Sequence, residues 1–76
     1  MLMTIYGNRS RQSGVRAYAI SKDRISVRFA DGKVYDYTWA STGRDKVEHM
    51  KQLARDGMGL CTYISKHVGK AYAARR

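Results

Sequence analysis

The sequence predicts an α+β domain in which a three-stranded antiparallel meander is covered on one face by two C-terminal helices. Three observations predict it. Apolar residues alternate with polar ones in three short runs between Val15 and Thr38. The period then lengthens to three and four from Arg44 onward. An Asp-Gly pair, Asp31-Gly32, stands between two of the alternating runs and marks a hairpin turn.

In chain order, "LMTIY" (Leu2–Tyr6) is apolar enough for a short additional strand, and "GNRSRQSG" (Gly7–Gly14) is a polar, basic loop. "VRAYAIS" and "RISVRFA" are strands joined by a turn at "SKDR", and "KVYDYT" is the third strand of the meander. Val47, Met50, Leu53 and Ala54 then form one helix face within Arg44–Asp56. Thr42 or Ser41 can cap its start, and Gly57 can close its end in a left-handed conformation. Asp45 and Glu48 in the first turn and Arg55 in the last suit the helix dipole. After "GMG", a second helix begins near Leu60. Leu60, Tyr63, Ile64, His67, Val68, Ala71 and Tyr72 share its side, with Gly69 interrupting the run to Tyr72. A sheet with one apolar face needs a cover, and two consecutive amphipathic helices supply it.

The register of the second hairpin can be derived. A two-residue Asp31-Gly32 turn would strand Asp36 among apolar residues. A three-residue loop, Ala30-Asp31-Gly32 with Gly32 left-handed, sets Val27 opposite Tyr35 and Ile25 opposite Tyr37. Ser26 then faces Asp36 and Arg28 faces Val34 on the other side. A slip of one residue would flip every side chain, so the register that segregates the faces is the one predicted. Tyr35 and Tyr37 thus point toward the helices, as core residues whose hydroxyls need a partner or the rim. The open face is charged and poor in aromatics. Trp39 and Tyr6 are left as stacking candidates, with Trp39 also fitting a half-buried place at the end of the sheet.

The chain has 76 residues, enough for a single domain over 1–76 with a thin core. Its 43% hydrophobic content argues against disorder, and one cysteine argues against a disulfide scaffold. With neither a signal-peptide run nor a bilayer-length stretch, a soluble cytoplasmic protein is expected. The net charge is +9, and it is unevenly placed. Residues 1–22 carry Arg9, Arg11, Arg16 and Lys22, and residues 57–76 carry Lys66, Lys70, Arg75 and Arg76. All six acids lie between these segments. Such asymmetry points to a polyanion: nucleic acid, an acidic protein or an anionic membrane surface. The apolar side of the C-terminal helix is better used on the sheet than on a membrane.

Several of these residues together resemble the KTSC domain: the Ile25-x-Val27-x-Phe29 strand, the Gly32 turn, Tyr35-x-Tyr37, a helix ending at Gly57, and a final helix containing Ile64. The resemblance runs from about Ser13 to Tyr72. That family is named for an extension at the C-terminus of some lysyl-tRNA synthetases, and it also occurs as stand-alone bacterial proteins. RNA binding has been suggested for it. The family often places Val-Pro after the tyrosine pair, where this chain has "TWASTG" without proline, so the start of its helix should differ. No catalytic residues carry over from the resemblance.

Chemistry finds little support in the spacing. Cys61 has no nearby cysteine, and His67, six residues on, does not share its helical face. No Cys-x-x-Cys or His-x-x-x-His occurs, so neither a metal nor another cofactor is expected. His49 reads as a solvated helix residue and His67 as a boundary residue. The expectation is therefore a non-enzymatic domain without a small-molecule substrate. It would bind nucleic acid, RNA favoured, through phosphate contacts of low sequence specificity. Arg9, Arg11, Arg16, Arg28, Lys66, Lys70, Arg75 and Arg76 are the candidate contacts, within the basic loop at 7–14, on the open sheet face and in the basic end at 66–76. The rival is a protein-interaction module, a small regulator or inhibitor docking on an acidic protein surface with the same cations.

Overall fold

The computed structural model describes residues 3–7 and 14–75. The antiparallel sheet has five strands in sequential order: β1 (Thr4–Ile5), β2 (Val15–Ser21), β3 (Arg24–Phe29), β4 (Val34–Thr38) and β5 (Ala74–Arg75). The expected three-stranded meander is therefore only its centre. The short N-terminal strand extends one edge, and a C-terminal strand that the sequence did not signal extends the other. Two-residue strands such as β1 and β5 are too short to carry an alternation that could be read.

The β3–β4 hairpin has the derived register: Val27 pairs with Tyr35, Ile25 with Tyr37, Ser26 with Asp36 and Arg28 with Val34. The three-residue loop closes through Phe29 N–H to Lys33 O (3.0 Å) and Gly32 N–H to Phe29 O (2.9 Å). Gly32 has φ +88°, which residues with a Cβ adopt only under strain. In the β2–β3 ladder the register shifts between Val15 and Ala17, which leaves Arg16 as the extra residue of a bulge.

Two corrections concern the helices. The residues after β4 do not run straight into the long helix. Thr38 caps a separate four-residue helix, α1 (Trp39–Thr42), in a capping box with Ser41. Gly43 then stands before α2 (Arg44–Asp56), whose start has no side-chain cap. Neither candidate cap serves it: Ser41 is engaged by Thr38, and the Thr42 hydroxyl donates to the Ala71 carbonyl at 2.7 Å. The C-terminus of α2 is as expected. Gly57 is left-handed (φ 72°, ψ 23°), and its N–H reaches the Leu53 and Ala54 carbonyls.

The second correction concerns the last helix. α3 (Leu60–Tyr63) continues as a π-helical turn, Ile64–Val68, and stops there; it does not reach Tyr72. Gly69 N–H donates to Ile64 O at 2.7 Å, an i→i+5 bond, and Gly69 takes φ 57°, ψ −123°. The chain then turns back over the sheet, places Tyr72 against Tyr35 and Tyr37, and enters β5 beside β4.

The core lies between the sheet and these helices. Tyr6, Val15, Ile25, Val27 and Tyr37 from the strands meet Val47, Met50 and Ala54 of α2 and Leu60, Ile64 and Val68 of the last helix. Leu60, Ile64 and Val68 recur every four residues, so one stripe of that helix is buried and its other side faces water. No helix among the described residues is long and apolar enough to cross a membrane.

Candidate nucleic-acid interface

Cations are the starting point, because they carried the functional expectation. Arg9, Arg11 and Arg76 lie outside the described residues. Arg16 is exposed at the β2 bulge, and Arg75 is exposed on β5, opposite Tyr35. Arg28 is exposed on β3, on the sheet face turned away from the helices, since it alternates with the core residue Val27. Lys66 and Lys70 are exposed on the helical side. The fold therefore puts the sheet between Lys66 of the last helix and Arg28, with Lys70 following just past the helix end.

The outer sheet face is also less open than its composition implies. Ser26 is 1% exposed and Asp36 is 7% exposed, and the Ser26 hydroxyl donates to Asp36 Oδ1 at 2.5 Å. The paired polar groups seal the centre of that face instead of displaying charge there.

Carboxylates are mostly engaged close to home. Asp23 pairs with Arg24 (3.8 Å), Asp31 accepts from Lys33 N–H (3.0 Å), and Asp56 accepts from Gln52 (3.1 Å). Glu48 accepts from Lys51 Nζ at 2.7 Å and from Trp39 Nε1 at 3.1 Å. The Lys51 bond, followed by the Trp39 bond, holds the Glu48 carboxyl below its ordinary pKa. Lys51 itself is 4% exposed and also donates to the Lys22 carbonyl at 2.8 Å. Trp39 is thus spoken for: its indole binds Glu48, and the Arg44 guanidinium lies 4.9 Å from its ring centroid. Tyr6 is buried, and its hydroxyl accepts from Leu60 N–H at 3.3 Å. Burial raises the pKa of that phenol. The two stacking candidates named from sequence therefore have structural work.

A different set of rings gathers on the helical surface. His49 of α2 lies against Tyr63 at the end of α3, with centroids 4.5 Å apart and planes at 36°. Tyr63 lies in turn against His67 of the π-helical turn, at 4.9 Å and 37°. Both imidazoles belong to exposed residues, and Tyr63 is half-buried. Lys66 precedes His67 in the same turn and Lys70 follows just past Gly69, and neither is ion-paired with a described carboxylate. On α2, Glu48 directly precedes His49 but is held by Lys51 and Trp39, and Asp45 and Lys46 stand four and three residues before it.

The sequence puts Tyr63 and His67 on one side of the second helix, and Tyr63 does pack, partly buried, against the core. Tyr63 and His67 are four apart on one helix, and that pairing was legible. His49 joins them only through the crossing of α2 and α3, for which the sequence carries no local signal.

Among the described residues, no group of three His, Cys, Asp or Glu side chains is placed to hold a metal ion. No family model, curated protein or solved structure matches this chain.

Proposed function

We propose that this domain is a non-enzymatic nucleic-acid-binding module, with RNA as the preferred partner, acting through phosphate contacts of low sequence specificity. One observation carries the reading. Lys66 and Lys70 are exposed and bracket His67 in the chain, in the segment that joins a cluster of three rings, while most described carboxylates are engaged elsewhere in the fold. Basic side chains interleaved with aromatic ones suit a flexible polyanion. Arg16 on β2 and Arg75 on β5 are exposed cations toward opposite edges of the sheet, and Arg9, Arg11 and Arg76 belong to the proposal through the charge of the end segments. Arg28 sits on the opposite side and would serve only a strand that wraps the sheet edge. RNA is favoured over DNA because recognition of RNA is dominated by unpaired segments, whose bases are accessible to side-chain rings.

The test is binding of labelled RNA across a salt series. Each neutralised phosphate steepens the log–log salt dependence by about 0.7–0.9. The Lys66→Ala/Lys70→Ala double variant is expected to lower that slope by about 1.4–1.8, two phosphates' worth. Affinity that is independent of salt would refute the reading. A wild-type slope in the double variant would remove these lysines from the interface.

A further inference from the structure

We infer that the His49–Tyr63–His67 cluster is a stacking site for unpaired nucleobases, so that the ligand of this domain is a single strand. This rests on the phosphate-binding reading above and adds the ligand class to it. The core does not need the two imidazoles: Leu60, Ile64 and Val68 already fill the space under this helix, each no more than 7% exposed. Yet His49 and His67 hold positions against Tyr63 from two different helices. The planes are tilted by 36° and 37°, and both histidines are exposed, so their imidazoles remain accessible to solvent.

The surrounding charges set a direction. Lys66 and Lys70 bracket His67 in the chain with no acid near them, while His49 is preceded by Asp45, Lys46 and the already engaged Glu48. A backbone crossing this surface would keep its phosphates near the lysines and its bases over the rings. The π-helical turn contributes here, since Ile64–Val68 is the segment that carries both Lys66 and His67, and such turns occur frequently at functional sites. A base can reach these rings only if it is unstacked from its neighbours. A duplex keeps its bases inside and offers this surface phosphates alone. Ring stacking tolerates any base, which agrees with low sequence specificity.

The experiment compares a labelled single-stranded oligoribonucleotide with the duplex of the same sequence at fixed salt. Tyr63→Ala is expected to weaken single-strand binding about fivefold or more and to leave duplex binding unchanged. Tyr63→Phe keeps the ring and should bind as wild type. Because Tyr63 is half-buried, the exposed His49→Ala/His67→Ala double variant provides the check free of folding effects, and it too should lose affinity for the single strand alone. Wild-type single-strand affinity in both ring variants overturns the stacking site and leaves the phosphate reading standing. Equal loss on both ligands in the histidine variant overturns it as well. If the wild-type protein binds neither ligand at low salt, both readings fall.

Discussion

Replacing Tyr37 by Ala is expected to unfold the domain. Tyr37 is 1% exposed and is the largest side chain among the fully buried ones. It pairs across the sheet with Ile25, stacks near Tyr35 (centroids 6.5 Å apart) and meets Tyr72 at 6.4 Å. Removing a buried aromatic ring costs about 3–5 kcal/mol through lost burial and the cavity left behind. A single core in a chain of this size supplies roughly 3–5 kcal/mol in total, so the loss consumes nearly all of it. Circular dichroism under urea should show Tyr37→Ala without a folded baseline and Tyr37→Phe close to wild type. A Tyr37→Ala transition near the wild-type midpoint would contradict this packing. The phenol adds a pH signature. Burial, with smaller repulsion from Tyr35, pushes the Tyr37 pKa up to about 12. An unfolded tyrosine loses its proton near roughly 10. The folded state thus holds the proton more tightly. The resulting stability is fully present below pH 10 and drains away between about 10 and 12. Tyr37→Phe should flatten that decline, and Tyr6, raised in the same direction by burial, should leave part of it.

Lys51→Ala is expected to cost about 2 kcal/mol, the range of a buried hydrogen bond made by a charged group. The amine of Lys51 links α2 to the β2–β3 turn through the Lys22 carbonyl at 2.8 Å. It also bonds Glu48, which holds the Trp39 indole, while Trp39 N–H donates to Asp23 O at 2.9 Å across the same corner. Its loss should therefore lower the urea midpoint and shift the emission of Trp39, the one tryptophan of the chain. Lys51→Met keeps the apolar stem and should lose the hydrogen bonds with less of the packing. Acid should weaken the same corner. The Glu48 carboxyl is held below its ordinary pKa, so its contribution is present above about pH 4.3 and fades as pH falls through the lower folded value. Unchanged stability and unchanged Trp39 emission in Lys51→Ala would show that the corner is held by other contacts.

Legibility in the sequence followed the range of the interactions. The β3–β4 register was readable because only one loop length separates Val27, Tyr35, Ile25 and Tyr37 from Ser26, Asp36 and Arg28. The bounds of α2 were readable from Val47, Met50, Leu53 and Ala54 and from Gly57. Trp39–Thr42 was missed because a single helical turn has no period to detect; only its capping box is local. The stop at Val68 depended on one inserted residue in the hydrogen-bond ladder, and β5 depended on Tyr72 docking on the tyrosine pair. Charge was legible as a sum and not as a surface. Arg28 and Lys66 carry the same sign in the sequence, and the fold sets them on opposite sides of a sheet. The ring cluster stayed hidden because His49 comes from another helix than Tyr63 and His67.

Amide chemical shifts of the 15N-labelled protein, followed while a single-stranded oligoribonucleotide is added at low salt, report directly where the polyanion sits. Shifts gathered at His49, Tyr63, Lys66, His67 and Lys70, with Ser26 and Arg28 unmoved, are the expected result. Shifts centred on Arg28 and the outer sheet face, or none at saturating oligonucleotide, would contradict it.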